Sequence, residues 1–205
     1  MIIGITGPSG AGKSYLGRRL SKTFPNSVYI SCDQIMHNPF SNNNEKDFML
    51  DFLCRKSLHK VNRFAAQIPN ELLNLYWPFQ IYSKFFSKKI EKLIKANKEK
   101  LIFIDSGLLT FMPQFLSKCD LKILVTADRH VRKMRVLARN RNTPNEIDSR
   151  DCSWSYLYDN QDFDIVIDTT NLKSPTLKKD YLNTIKTIGQ MRFIQKCEHS
   201  LPNKF

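Results

Sequence analysis

The sequence has few acidic residues for its number of basic ones. Nineteen aspartates and glutamates stand against 32 lysines and arginines, which gives a formal net charge of +13 at pH 7. Such an excess suits an anionic partner, either phosphorylated small molecules or a nucleic acid. Because the lysines are spread along the chain rather than gathered in one block, most of them are interpreted as solvated surface.

The sequence also lacks paired cysteine motifs and long apolar runs. Its five cysteines include no C-x-x-C pair, so neither a disulfide framework nor a zinc site is predicted. Reduced thiols are typical of a cytosolic protein. No stretch approaches the roughly 20 apolar residues of a membrane span, and no signal-type segment opens the chain. We therefore expect a cytoplasmic protein without a membrane partner.

Five short apolar runs rich in β-branched residues recur along the 205 residues, and helical patterns separate most of them. This alternation predicts one α/β domain over residues 1–205, with a five-stranded parallel sheet between two layers of helices. The predicted strands are IIGIT (2–6), SVYIS (27–31), LIFID (101–105), LKILVT (121–126) and FDIVID (163–168).

Residues 45–97 have a helical pattern and no strand pattern, which predicts a helical insertion between the second and third strands. Apolar residues recur there at spacings of three and four, including Ile90 and Leu93. Pro78 interrupts the pattern, so we expect a helix to begin or bend at that residue.

Three of the seven glycines fall within residues 7–12, in the stretch GPSGAGKS. The spacing is that of the G-x-x-x-x-G-K-[ST] phosphate loop, and the flanking strand and helix patterns are those the loop requires. Glycines let successive N–H groups point into one concavity, and a helix that should begin at Lys13 adds its positive end. Lys13 is predicted to contact the outer phosphates of ATP, and Ser14 to bind Mg²⁺. The residues predicted to bind ATP here are Gly7, Pro8, Ser9, Gly10, Ala11, Gly12, Lys13, Ser14 and Tyr15.

Two carboxylates follow predicted strands at the edge where ligands of open parallel sheets bind. Asp33 follows the second strand and is predicted to accept the proton of a substrate hydroxyl, with the cap of a following helix as its alternative role. Asp105 ends the third strand and is predicted to hold Mg²⁺, with an ion pair to Lys13 as a compatible second role.

Arginines cluster after the fourth strand. Arg132, Arg135 and Arg139 lie three and four residues apart, which places them on one helix face. Asp128 is the only acid from 121 to 145, so this face is not an ordinary mixture of solvated charges. Guanidinium groups bind phosphate oxygens through a fixed fork. We predict that Arg135 and Arg139, with Arg141, close over the transferring phosphoryl group, and that residues 139–155 form a short lid.

The order of these motifs over residues 1–175 resembles the dephospho-CoA kinase family. GITGPSGAGKS is similar to the family's opening, and CDQIMH to the run after its second strand. RKSLHKVNRF, ELLNLYWPF and KKIEKL are similar to its middle region, and DSGLLTF to the motif after its third strand. RHVRKMRVLARN and FDIVIDTTN follow in the family's order. Departures from the family are Trp77 before Pro78, Ser106 and Gly107 after the third strand, and the region after Arg150.

This resemblance implies a P-loop kinase fold and phosphorylation of the dephospho-CoA ribose 3′-hydroxyl by ATP with Mg²⁺. It implies that the insertion binds the acceptor, and that Asn171, in the 169–171 loop, lies near adenine. We expect a monomer.

Two alternatives stay open. The end of the chain resembles cytidylate kinases and LLTFMPQFLSKCDLKILV resembles uridine kinases, so a pyrimidine nucleoside or nucleotide kinase is one of them. The other is a non-catalytic P-loop protein that binds nucleic acid. That class favours a basic tract interleaved with exposed aromatics, which the sequence does not contain, so nucleic acid is not the expected partner.

Overall fold

The computed structural model describes residues 1–37, 77–107, 109, 113–139 and 162–200. In that part of the chain the strands are β1 (Ile2–Thr6), β2 (Ser27–Ser31), β3 (Leu101–Asp105), β4 (Leu121–Thr126) and β5 (Ile165–Asp168). The helices are α1 (Lys13–Thr23), α2 (Cys32–His37), α3 (Trp77–Ala96), α4 (Pro113–Leu116), α5 (Arg129–Leu137) and α6 (Pro175–Ser200).

The five strands form one parallel sheet in the order β2-β3-β1-β4-β5. This confirms the predicted five-stranded parallel sheet. The predicted bounds of the first four strands match the observed ones, whereas the fifth begins at Ile165 and not at Phe163. Just before this strand, the side-chain carboxylate of Asp164 accepts the backbone N–H of Lys122 at 2.7 Å, a contact between residues distant in the sequence.

Alternating side chains of the central strands enter two separate cores, one on each face of the sheet. Leu101 and Phe103 pack with α1 and α6, in a core that also includes Ile3, Ile5, Leu16, Leu20, Ile123 and Ile188. Ile102 and Ile104 face the other way, in a core that includes Ile30, Cys32, Ile90, Leu109 and Phe115. All five residues of β3 are buried, as expected for a strand covered on both faces.

The end of the predicted insertion is helical. Pro78 is the second residue of α3, where its missing N–H costs no helical hydrogen bond. Ile90 is fully buried and Leu93 packs beside it, as the apolar stripe predicts. Residues 45–76 of the insertion and residues 140–155 of the predicted lid lie outside the described residues.

Within the described part of the chain, none of the helices combines the length and the apolar character that crossing a membrane would require.

Candidate active site

The loop between β1 and α1 bends through glycines where no other residue would fit. Gly7 and Gly10 have φ of +140° and +79°. A Cβ on Gly7 would lie 2.0 Å from the carbonyl oxygen of Val125, and one on Gly10 would lie 2.6 Å from that of Arg132. The loop is therefore pressed against the end of β4 and against α5. This contact is the physical reason for the glycines that the sequence places there.

Helix α1 begins at Lys13, as predicted, and its amino end points into this loop. Gly12 precedes the helix in the left-handed conformation, with φ of +97°, and no side chain caps the helix. The first turn contains no acidic residue. Lys13 Nζ donates to the carbonyl oxygen of Pro8 at 3.1 Å, so its ammonium group spans the loop. Backbone donors, helix dipole and ammonium group together favour an anion at this position.

Asp105 lies beside the loop, at the end of β3, and two hydroxyl groups donate to one of its oxygens. Ser14 Oγ and the Tyr29 hydroxyl each lie 2.6 Å from Asp105 Oδ2. The carboxylate is 3% exposed. Burial raises the pKa of Asp105, while the positive charge of Lys13 and the two hydrogen bonds partly offset this rise. The structure thus brings together the two residues predicted to hold Mg²⁺.

The chemistry of this pair fits a small divalent cation. Ser14 and Asp105 present only oxygen atoms, and a buried carboxylate whose charged form is disfavoured gains from a cation beside it. Among the described residues no group of three or more His, Cys, Asp or Glu side chains lies together. The Ser14–Asp105 pair is therefore the candidate position for Mg²⁺ bound with ATP phosphates, a mode that needs one or two protein ligands.

Asp33 lies exposed in the first turn of α2. The alternative role as helix cap belongs instead to Ser31, whose Oγ lies 3.4 Å from the backbone N–H of Gln34. The negative charge of Asp33 contributes to raising the pKa of Asp105, so the two carboxylates share one electrostatic environment. Asp33 is thus exposed just after β2, and its role toward the acceptor stays a prediction.

The three arginines predicted on one face of α5 have different environments. Arg132 is 8% exposed, and its Nε donates to the carbonyl oxygen of Ala127 at 2.9 Å. Arg135 donates to the carbonyl oxygen of Thr169 at 2.6 Å, to Thr169 Oγ1 at 3.0 Å and to the carbonyl oxygen of Gly10 at 3.4 Å. Arg139 follows α5 and is exposed. Arg141 lies outside the described residues, so its predicted contact with ATP stays a prediction.

Thr169 is a residue of this site that the sequence analysis names only as part of a loop. Its Oγ1 donates to the carbonyl oxygen of Ala11 at 2.6 Å, so it joins the segment after β5 to the phosphate loop. Asn171 is exposed in the same segment, and its Oδ1 accepts the backbone N–H of Lys173 at 3.0 Å. Its position directly after a predicted strand is the feature of the sequence that could have identified Thr169 as a site residue.

Tyr29 is a second contact that sequence reasoning missed. It lies within β2, and an aromatic residue inside an apolar strand is normally interpreted as core. Its hydroxyl nevertheless reaches Asp105, which is 76 residues away along the chain. No local pattern in the sequence marks this contact.

Comparisons with known proteins agree with this architecture. No model of a known protein family matches the chain, and no curated protein matches its sequence. The crystal structure of TT1252 from Thermus thermophilus is similar, with a TM-score of 0.63 at 20% identity over 93% of this chain and 97% of that one. A shikimate kinase from Bacteroides thetaiotaomicron is similar with a TM-score of 0.54 at 12% identity, again over 93% and 97%. The chain therefore has the α/β fold of P-loop kinases, with a five-stranded parallel sheet.

Proposed function

We propose that the protein is an ATP-dependent kinase that phosphorylates the ribose 3′-hydroxyl of dephospho-CoA. The observation that best supports a kinase activity is the 2.6 Å hydrogen bond from Ser14 Oγ to the buried carboxylate of Asp105. It joins the hydroxyl of the phosphate loop to a carboxylate at the end of a neighbouring strand, as binding of Mg·ATP requires. The order of sequence motifs over residues 1–175 supports dephospho-CoA as the acceptor.

The phosphate loop and Lys13 would bind ATP through its β- and γ-phosphates. The backbone N–H groups at the amino end of α1 have no side-chain cap that would compete with a phosphate. The Lys13 ammonium already lies across the loop, against the carbonyl oxygen of Pro8. It adds a point charge beside the transferring group without a change of fold.

Ser14 and Asp105 would hold Mg²⁺, which when bound neutralises charge on the β- and γ-phosphate oxygens. The hydroxyl of Ser14 donates a hydrogen bond to Asp105 Oδ2. Its lone pairs stay available to a cation, and the buried carboxylate supplies the opposite charge.

The acceptor side of the proposed reaction uses Asp33. The acceptor oxygen forms its bond to the γ-phosphorus while the bond from that phosphorus to the bridging oxygen of ADP breaks. The proton of the acceptor hydroxyl passes to the Asp33 carboxylate, which is exposed at the ligand-binding edge of the sheet. Arg139, at the start of the proposed lid 139–155, would carry positive charge to the transferring group. The insertion 45–97 would bind the acceptor, and Arg141 and Asn171 would lie on the nucleotide side.

A parallel acceptor assay tests this function. Release of ADP from ATP and Mg²⁺ is measured with dephospho-CoA, shikimate, uridine, CMP and UMP, and Lys13→Ala serves as the matched inactive control. We expect turnover with dephospho-CoA to exceed turnover with each other acceptor, and to disappear in Lys13→Ala.

Preferred turnover of a pyrimidine compound or of shikimate would replace the proposed acceptor while retaining the kinase activity. Equal turnover by Lys13→Ala would contradict the phosphate-loop chemistry. No turnover with any acceptor, combined with DNA binding that weakens steeply with salt, would favour a nucleic-acid-binding protein instead.

A further inference from the structure

Tyr29 makes two contacts beside the phosphate loop, one through its hydroxyl and one through its ring. Its hydroxyl donates to Asp105 Oδ2 at 2.6 Å, the same oxygen that Ser14 Oγ contacts at 2.6 Å. Its ring lies against α1 at Gly17, where an added Cβ would be only 2.6 Å from Tyr29 Cε2. The ring is therefore held by packing, and the hydroxyl is held over the carboxylate.

The phenol acts as a donor in this contact. The Tyr29 side chain is partly buried, and burial, with the negative charge of Asp105, raises the pKa of the phenol well above its ordinary value. The hydroxyl thus keeps its proton at neutral pH. A hydrogen bond from a neutral donor to a carboxylate is among the stronger hydrogen bonds in proteins.

Two donors on a single oxygen restrict how the carboxylate can rotate. Both hydroxyl groups use Oδ2, so Oδ1 receives neither of them. If the Tyr29 hydroxyl were removed, Ser14 Oγ alone would hold the carboxylate on this side. Rotation of Asp105 would then also release the Ser14 hydroxyl, which is the other oxygen of the candidate Mg²⁺ position.

We propose that Tyr29 is a positioning residue for the Mg²⁺ side of the phosphate site. Through its hydrogen bond to Asp105 Oδ2, it holds the Asp105 carboxylate and the Ser14 hydroxyl in the arrangement that receives Mg·ATP. This inference rests on the proposed function, because it assigns Ser14 and Asp105 to Mg²⁺. Groups that orient a metal ligand in this way change metal affinity or activity by about 10–100-fold when they are removed.

Tyr29→Phe is the variant that separates positioning from packing, because phenylalanine keeps the ring against Gly17 and removes only the hydroxyl. Tyr181→Phe is the matched control. The Tyr181 hydroxyl lies 3.0 Å from Oγ1 of Thr23, the last residue of α1, and its ring lies under the guanidinium of Arg19. Both variants lose one phenolic hydroxyl, but only one of them touches Asp105.

The experiment is calorimetric titration of the non-hydrolysable ATP analogue AMP-PNP into each protein, with excess Mg²⁺ and with EDTA. The quantity compared is the dissociation constant in EDTA divided by the dissociation constant in Mg²⁺. This ratio isolates the contribution of Mg²⁺ to binding. We expect Tyr29→Phe to lower this ratio by about 10–100-fold. Affinity in EDTA should stay unchanged, since the loop N–H groups and Lys13 are intact. Tyr181→Phe should bind as the wild type does.

A Tyr29→Phe protein with the wild-type ratio would overturn the inference and assign Tyr29 to packing alone. The inference would also be overturned if the wild-type protein bound AMP-PNP equally well with Mg²⁺ and with EDTA. Loss of affinity in EDTA and Mg²⁺ alike would also overturn it, because the damage would then extend to the whole loop. Failure of the proposed function is recognised separately, as wild-type binding that depends on Mg²⁺ without phosphoryl transfer to dephospho-CoA.

Discussion

The guanidinium of Arg135 holds Thr169 by two hydrogen bonds, one to the carbonyl oxygen at 2.6 Å and one to Oγ1 at 3.0 Å. Thr169 Oγ1 in turn donates to the carbonyl oxygen of Ala11 in the phosphate loop. An arginine that sequence analysis assigns to phosphate contact therefore also joins α5, the segment after β5 and the phosphate loop. The role of Arg135 in the transfer step stays a prediction. Its hydrogen bonds to Thr169 and Gly10, by contrast, help to hold the phosphate loop in place.

Arg135→Lys is expected to weaken both the fold and ATP binding. A lysine keeps the charge but cannot reach the carbonyl oxygen of Thr169, Thr169 Oγ1 and the carbonyl oxygen of Gly10 together. Hydrogen bonds from charged groups contribute about 1.5–3 kcal/mol each, so we expect a loss of about 1–3 kcal/mol in unfolding free energy. KM for ATP should rise. Denaturant unfolding and steady-state kinetics measure the two effects.

Arg139→Lys is the matched control for this substitution, because Arg139 is exposed just after the same helix. Its unfolding free energy should equal that of the wild type. If Arg139 stabilises the transferring group, its kcat should fall while KM for ATP stays constant. Equal stability of Arg135→Lys and Arg139→Lys would contradict the bracing role assigned to Arg135.

Asp33→Asn is expected to give a stable and nearly inactive protein. Ser31 is the capping side chain of α2, so loss of the Asp33 charge removes no cap, and asparagine keeps the shape of aspartate. Asparagine cannot accept the acceptor's proton, and loss of a general base lowers rates by about 10²–10⁴-fold. Turnover with dephospho-CoA and thermal unfolding provide the measurements. A variant that keeps wild-type kcat would remove Asp33 from the proposed mechanism.

Asp105→Asn is expected to lower turnover without lowering stability. Because burial raises the pKa of Asp105, the folded protein binds this proton more tightly than the unfolded chain does. Ionised Asp105 therefore opposes folding at neutral pH, and stability rises as pH falls through the folded pKa. The neutral amide oxygen can still accept from Ser14 and Tyr29.

The melting temperature of Asp105→Asn at pH 7 should equal or exceed that of the wild type, while Mg²⁺-dependent turnover falls at least about 10-fold. Asn183, which is exposed on α6, offers the reverse substitution Asn183→Asp as a control that adds an exposed charge outside the site. A clear drop in the melting temperature of Asp105→Asn would show that the ionised carboxylate stabilises the fold.

The parts of this structure that sequence predicts are those determined by local patterns. Apolar β-branched runs mark the strands because a strand in a covered parallel sheet is buried on both faces. The glycine spacing marks the phosphate loop because only glycine fits where the backbone of Gly7 passes Val125. The start of α1 at Lys13 follows from the same motif.

The parts that sequence does not predict depend on contacts between distant residues. Helical spacing predicts Arg132, Arg135 and Arg139 on one helix face, whereas α5 ends at Leu137, before Arg139. The spacing also does not reveal which neighbour covers each arginine. Burial of Arg132 and the contacts of Arg135 depend on where β4 and β5 end. The long helix α6 also escapes prediction, since exposed Leu182, Phe193 and Ile194 blur its apolar stripe.

Transfer to the ribose 3′-hydroxyl is tested most directly by identifying the phosphorylated product. The protein is incubated with ATP, Mg²⁺ and dephospho-CoA, and the product is examined by proton-coupled ³¹P NMR. We predict a phosphomonoester coupled to the ribose H3′, formed in an amount equal to the ADP released, and absent with Lys13→Ala. A phosphate on any other position, or ADP release without a new phosphomonoester, would contradict the proposed reaction.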